Sequence, residues 1–451
     1  MGLFDRFKKQ KKEQDNGSSA STPAQESYQH AMTNFDEGDY QTALGSLVGA
    51  FRADANYVPA YQLAAKCLKE LGATEEAVFF DNAVKNFNQA EPFKNLGVHF
   101  YEVGHYEMAI PLLEKAYSMD VADGEVRHDL AIVYTRRFQV DKAFELMKVA
   151  SDSNDFWDHW FYYKLSILNL QTEGVAEGLE QLQIAVSQAP EGVDTSIPMQ
   201  KLEEVKEMLA RYESIGSPDK TIQHWQFIQY GNIILDYFED SDDYVAGGRY
   251  VAAWGSNQSI KGILYKFKEY SKTLNLKFDR LCYLPEPHSE IVGRALALEL
   301  AIEVEEYEAG QNHDHSLVVA ANSFDFDEYN ELSTVSPGQV LFALNHGWME
   351  ACSISPDISG LMSQTYSLPW AGGGLRFDPE TGTAEQTEAD ERAPQEIAND
   401  IYNEELSENT NLDKLEFYVQ RRELLKGIGE KAGNQRHNFM TESPVPGSYF
   451  G

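Results

Sequence analysis

The chain has 451 residues, enough for two or three domains, and carries 72 acidic against 37 basic side chains for a formal net charge of −35. A field of that sign repels nucleic acid and anionic membrane, so neither is expected as a partner of the bulk surface. Three cysteines, Cys67, Cys282 and Cys352, lie far apart, forming neither a metal-ligand spacing nor a disulfide framework, and fit a reducing cytoplasm.

The first 24 residues read as a basic leader and linker. Met1–Lys12 pairs Leu3, Phe4 and Phe7 with Arg6, Lys8, Lys9, Lys11 and Lys12. A short basic amphipathic helix of this kind touches a membrane surface only weakly, and a frayed solubilising leader accounts for it as well. The leader lacks a signal peptide's apolar stretch, and no run of about 18 apolar residues marks a spanning helix.

From about residue 25 to 215 the chain repeats. Ala43, Ala77, Ala109 and Ala143 recur at steps of 34, 32 and 34 residues. A period of about 34 marks paired helices that cannot hide their apolar faces alone and must stack on their neighbours. The clearest unit runs from Glu91 to Gly124. Phe93, Leu96, Gly97 and Phe100 share one helical face, Gly104 stops that helix, and Tyr106, Ala109, Leu113 and Ala116 line the second. Other units are more worn: Asp81 replaces a bulky apolar residue in the second, Phe138 a turn glycine in the fourth, and Gly178 the key alanine in the fifth. Met199–Tyr212 reads as a capping helix.

This pattern of aromatic, Leu, Gly, aromatic, then Gly, Tyr, Ala, bulky residue and Ala resembles the tetratricopeptide repeat family. The resemblance implies an all-α solenoid whose first helices line a groove for an extended protein or peptide partner. Carried over by position, that groove holds Gln62, Lys66 and Lys69, then Lys94 and Tyr101, then His128 and Arg136. Four of these seven are Lys or Arg in an acidic chain, which points to an acidic partner, although a solvated basic face has the same composition. The family's carboxylate clamp is not expected, because Tyr28, Met32 and Glu91 occupy its places.

From residue 220 to 377 the pattern changes to an α/β domain with a mostly parallel sheet. Phe227–Phe238, Tyr250–Trp254, Phe278–Leu284, Ser316–Ala321 and Val340–Leu344 read as strands, and Ser259–Leu274 and Ser289–Ala301 as helices, the second capped by Ser289. Ligands of such sheets sit at the carboxyl ends of strands. The candidate ligand residues are therefore Glu286, His288, Ser289, Asn322, Asp325, Asn345 and His346. The layout is similar to phosphoribosyltransferase-like domains, but Phe326 separates Asp325 from Asp327 and no phosphate loop follows. No catalytic residue is assigned. Gly372–Gly374 lacks the spacing of a phosphate cradle, and Cys352 is not placed beside His346 by anything in the sequence. His313 and His315 flank Asp314 without an evident third ligand, so neither metal nor cofactor is expected.

Residues 378–451 read as an acidic linker, a helix and a disordered tail. Eleven acids against Arg392 alone lie between Asp378 and Glu408. Pro379–Ala393 reads as disordered and as a candidate internal occupant of the basic groove. Leu412–Ile428 reads as one amphipathic helix. The expected protein is a cytoplasmic scaffold that captures a partner through its solenoid, with the α/β domain as a second interaction surface or a degenerate ligand module. The rival is an enzyme or binder of a phosphate-bearing small molecule housed in the α/β domain.

Overall fold

Small and bulky apolar residues alternating at helical spacing make the first part of the chain a series of helix pairs. The computed structural model describes residues 21–137, 139–148, 155–219, 221–237, 252–347, 352–363, 365–373, 375–377, 384–386, 388–428 and 431–436. The leader Met1–Lys12, Phe138, Trp348 and the tail Ser443–Gly451 lie outside those residues. The chain divides into two compact units, Met1–Val133 and Tyr134–Gly451.

The first unit contains α1 (Pro23–Asp36), α2 (Tyr40–Ala53), α3 (Val58–Glu70), α4 (Thr74–Lys85), α5 (Glu91–Glu102) and α6 (Tyr106–Met119). Thr22 and Gln25 open α1 with a reciprocal capping box. The helices pack as α1 on α2, α3 on α4 and α5 on α6, and each pair leans on the next. Gly38, Gly72 and Gly104 follow the first helix of each pair with φ of 81°, 80° and 80°. This left-handed residue lets the next amide reach back to close the helix end, as Asp39, Ala73 and His105 do to the carbonyls of Asn34, Leu68 and Phe100. Ala43, Ala77 and Ala109 are fully buried between helices. At Gly97 a Cβ would stand 2.5 Å from Leu113 Cγ, so α5 and α6 touch through a position only glycine fits. Asp81, the odd residue of the second unit, is ion-paired with Lys69 at 2.7 Å. The division between the two units falls within α7 (Gly124–Arg136).

The second unit continues the helical solenoid with α8 (Val140–Met147), α9 (Phe156–Leu168), α10 (Val175–Ser187), α11 (Ser196–Ile215) and α12 (Ile222–Tyr230). Ala143 is fully buried. Gly178 replaces the repeat alanine because the Tyr163 hydroxyl occupies the space, 2.0 Å from where a Cβ would lie.

An α/β domain follows. Its elements are β1 (Ile233–Tyr237), β2 (Ala252–Trp254), α13 (Asn257–Thr273), β3 (Arg280–Tyr283), α14 (Pro287–Leu300), β4 (Val304–Glu306), β5 (Ser316–Asn322), β6 (Val340–Gly347), β7 (Ile358–Ser363), β8 (Thr365–Ser367), β9 (Leu375–Phe377), β10 (Ala384–Gln386), α15 (Pro394–Asn403) and α16 (Leu415–Val419). Six strands form one sheet in the order β1-β7-β6-β5-β3-β4, and every pairing in it is parallel. Its two faces follow the period of a strand. Leu317, Val319 and Ala321 pack under α13, α14 and α15, whereas Val318 and Ala320 meet Tyr307, Phe326 and Leu332 on the opposite face.

Four expectations are corrected. Phe227–Phe238 is not one strand: Thr221 caps α12, Gly231 ends it at φ 65°, and only then does β1 begin. Ser289 does not cap α14. The Glu286 carboxylate does, accepting from the amides of His288 and Ser289, and the Ser289 hydroxyl instead accepts from the Ala321 amide. Pro379–Ala393 is not wholly irregular, since its Ala384–Gln386 segment pairs antiparallel with β9, and just beyond it α15 buries Ile397, Ala398 and Ile401. Leu412–Ile428 is not a continuous helix: after α16 the chain turns through a short 3-10 helix, Arg422–Leu424. The turn lets buried Tyr418 accept from the Ile234 amide while the Lys426 amide donates to the Gly231 carbonyl, tying the tail to β1 and α12. Among the described residues no helix is long and apolar enough to cross a membrane.

Candidate functional site

The stripe on α3 follows from simple helical geometry. Ala60, Tyr61, Leu63, Ala64, Ala65, Cys67 and Leu68 are buried, which leaves Gln62, Lys66 and Lys69 exposed at steps of four and three residues on one face, with the acid Glu70 exposed beside Lys69. Lys69 shares its charge with Asp81, both well exposed. Lys94 on α5 is held more firmly, with its ammonium 3.0 Å from Asp123 Oδ2 and 2.6 Å from Glu125 Oε2. The Glu125 hydrogen bond, opposed by burial and aided by Asp123, raises the Lys94 pKa well above the ordinary lysine value. Tyr101 is half-buried, its ring centroid 6.4 Å from that of Tyr106. His128 is half-buried beside Asp129, whose pKa is raised chiefly by burial, with His128 pulling the other way. These residues belong to the first unit and Arg136 to the second.

At the carboxyl ends of the strands, the fold brings the expected residues together and occupies them. Glu286 is the cap of α14. His288 Nδ1 accepts from Trp370 Nε1 at 3.0 Å. Asp325 accepts from the Asn322 amide at the start of a 3-10 helix, Ser323–Glu328. Asn345 lies opposite Asn322 across β5 and β6, and its Oδ1 accepts from Ser363 Oγ at 3.1 Å. His346 is fully buried, with Nδ1 2.7 Å from Ser323 Oγ, and burial pushes its pKa down to about 3.

Ser323 is the residue that sequence reasoning missed. It also hydrogen-bonds Cys352, so it stands between the imidazole and the thiol. Burial pushes Cys352 up to about 12, against the pull of the Ser323 hydrogen bond. A nucleophilic thiol needs its thiolate form and an accessible partner base. Here both groups lie out of solvent, and burial favours the neutral form of each. The local sequence marks Ser323 only as the first residue after a strand.

His313 and His315 diverge. His313 is buried, with Nε2 2.8 Å from the Glu308 carbonyl and its ring stacked 4.2 Å from Tyr307, whereas His315 faces Gly338. Among the described residues no group of three or more His, Cys, Asp or Glu side chains is placed to hold a metal ion.

No protein-family model matches the chain, and no curated protein matches it. Solved structures do match part of it. A MamA fragment from Desulfovibrio magneticus RS-1 is 20% identical, covering 38% of this chain and 100% of its own, with a TM-score of 0.23. MamA of AMB-1 is 17% identical over 37% of this chain and 94% of its own, with a TM-score of 0.24. YrrB, described as a TPR protein with an unusual peptide-binding site, is 17% identical over 40% of this chain and 90% of its own, with a TM-score of 0.25. At such values the fold assignment rests on the helix pairing itself.

Proposed function

We propose that the helical repeats make this chain a protein-interaction scaffold that receives an extended, acidic partner segment across α3 and α5. One observation carries the reading: α3 buries seven residues against its neighbours yet leaves Gln62, Lys66, Lys69 and Glu70 exposed as a polar stripe with two cations and one acid. Lys94 and Tyr101 extend it on α5 as a positioned cation and an aromatic surface, with His128 beyond them. Arg136, the seventh expected contact, belongs to the second unit and lies outside the surface proposed on the first. The acidic residues that Lys69 and Lys94 already hold would be exchanged for those of the partner, which favours selectivity over raw affinity.

The test is a double charge reversal, Lys66→Glu with Lys69→Glu, in the full-length chain. A labelled Asp- and Glu-rich peptide should bind the unaltered chain at low salt and lose about tenfold or more in affinity to the variant, whereas a neutral peptide of equal length should bind neither. Equal binding of the acidic peptide to both proteins would refute the reading.

A further inference from the structure

At the carboxyl edge of the sheet Glu286, Ser289 and Asp325 hold backbone amides and His288 holds Trp370, whereas a cleft opens at the amino edge. This cleft of about 370 Å³ is lined by Asn275 to Phe278 ahead of β3, His315 ahead of β5, Gly338 and Val340 at the start of β6, and Arg422 from the turn after α16. Its charge runs against the rest of the chain. Acids outnumber bases 72 to 37 overall, yet the lining holds Lys277, Arg422 and His315 and no acid. Three carboxylates lie beside lining residues in the chain: Glu423, 85% exposed and 3.5 Å from the Arg422 guanidinium, Asp279, exposed after Phe278, and Asp314, half-buried before His315.

Two of the three basic groups, Arg422 and His315, are set in place by the fold. Arg422 Nε donates to the Leu274 carbonyl at 2.9 Å, which fixes the guanidinium at the end of α13. His315 has a φ of 52°, in the left-handed region that Asn, Asp and His enter more readily than other side chains with a Cβ. Two backbone hydrogen bonds hold it there: its amide donates to Pro337 O at 2.7 Å, and its carbonyl accepts from the Asp279 amide at 2.9 Å. Its ring lies so close to Gly338 that a Cβ there would be 2.3 Å from Nδ1, and Gly338 is itself left-handed at φ 64°. Non-glycine residues kept in such conformations concentrate at ligand sites, where the surroundings impose a geometry the chain alone would not choose.

We infer that this cleft binds a small phosphomonoester, its phosphoryl group held by Lys277, Arg422 and His315 and its organic part resting on Leu276, Phe278 and Val340. Two permanent cations and an imidazole match a dianion better than a single carboxylate, and a guanidinium suits the geometry of phosphate oxygens. The volume lies at the lower end of small-molecule sites and exceeds that of inorganic phosphate, while the apolar walls leave room for a ring. This inference does not depend on the partner-binding role of the helices, since every lining residue lies in the second unit.

The experiment is calorimetric titration of the full-length chain with phenyl phosphate, with phenol as the uncharged control and inorganic phosphate as competitor. Phenyl phosphate should bind saturably, inorganic phosphate should displace it, and phenol should not bind. Lys277→Glu and, separately, His315→Asn should each weaken binding about tenfold or more. Asn accepts the left-handed backbone at 315, and Lys277 is exposed, so circular dichroism should show both variants folded. Lys66→Glu with Lys69→Glu should leave phenyl phosphate binding unchanged. Absence of saturable binding, equal binding of phenol, or unaltered affinity in both folded cleft variants would each overturn the inference.

Discussion

The helices of the first unit and the six-stranded sheet of the second keep charge in opposite ways. On the helices, Lys69 and Asp81 meet at the surface, and the buried ammonium of Lys115 lies over the faces of Phe87 and Phe93 at 4.0 and 4.5 Å and donates to Asn56 Oδ1, with Asp54 acting on it through charge and no carboxylate in a close ion pair among the described contacts. Around the sheet, opposite charges are buried as pairs: Asp357 with Arg436, and Lys261 with Glu299. The difference follows from topology. A repeat touches only its sequence neighbours and can leave its polar stripe wet. A parallel sheet must close segments far apart in the chain, and a buried ion pair links two of them with a geometry that apolar contact does not specify.

The sharpest way to break that contrast is at Asp357. Its carboxylate accepts from Arg436 Nε and Nη2 and from the Leu341 amide, and both side chains are at most 3% exposed. Burial raises the Asp357 pKa, and Arg436 opposes the rise. Asp357→Asn leaves the guanidinium buried without its counter-charge, so the variant should lose about 3–5 kcal/mol in urea unfolding. Amides of β6 and β7 should lose hydrogen-exchange protection with it. A loss below about 1 kcal/mol would mean that the C-terminal segment carrying Arg436 contributes little to the closure of the sheet.

A middle-sized effect belongs to the helices. Gly97→Ala gains about 1 kcal/mol of helix propensity but drives a methyl group into buried Leu113, whose Cγ and amide N lie 2.5 and 3.2 Å from the new atom. Overpacking of this kind costs about 1–3 kcal/mol, so the net result should be a loss of up to about 2 kcal/mol. Because repeats couple through their neighbours, amides of α5 and α6 should lose protection more than those of α1. A uniform loss would argue that the first unit unfolds as one cooperative block.

These regions were legible in the sequence to different degrees. The repeat was readable because each helix stop, alanine contact and glycine turn is decided within a few tens of residues. Even its irregular positions have local causes, Asp81 in Lys69 and Gly178 in Tyr163. The parallel sheet was readable in β5 and β6, which each carry a run of five apolar residues, and in β3, whose apolar Leu281–Leu284 follows Asp279 and Arg280. It was not readable in β7, where Gly360 is required because a Cβ would lie 2.4 Å from the Leu344 carbonyl and breaks the apolar signal. At the carboxyl ends Glu286, Asn322 and Asp325 serve the ends of helices, a use that their position after a strand does not reveal in the sequence. The cleft at the amino edge left no mark, since its lining comes from four separate stretches of chain that only the fold brings together.

The smallest expected effect tests whether the α3 stripe serves the fold or a partner. The Lys69 and Asp81 side chains are 50% and 39% exposed, so solvent screens their attraction. Pairs of this kind contribute less than about 1 kcal/mol. Lys69→Ala should therefore shift stability by no more than about 0.5 kcal/mol at moderate salt, and less as salt rises. Lys94 provides the internal control: its side chain is 17% exposed between two carboxylates, and removing it leaves Asp123 and Glu125 facing each other. Lys94→Ala should cost measurably more than Lys69→Ala. If the two variants instead lose equal stability, exposure does not separate the lysines. If Lys69→Ala weakens acidic-peptide binding while leaving unfolding unchanged, the Lys69 ammonium acts on a partner and not on the fold.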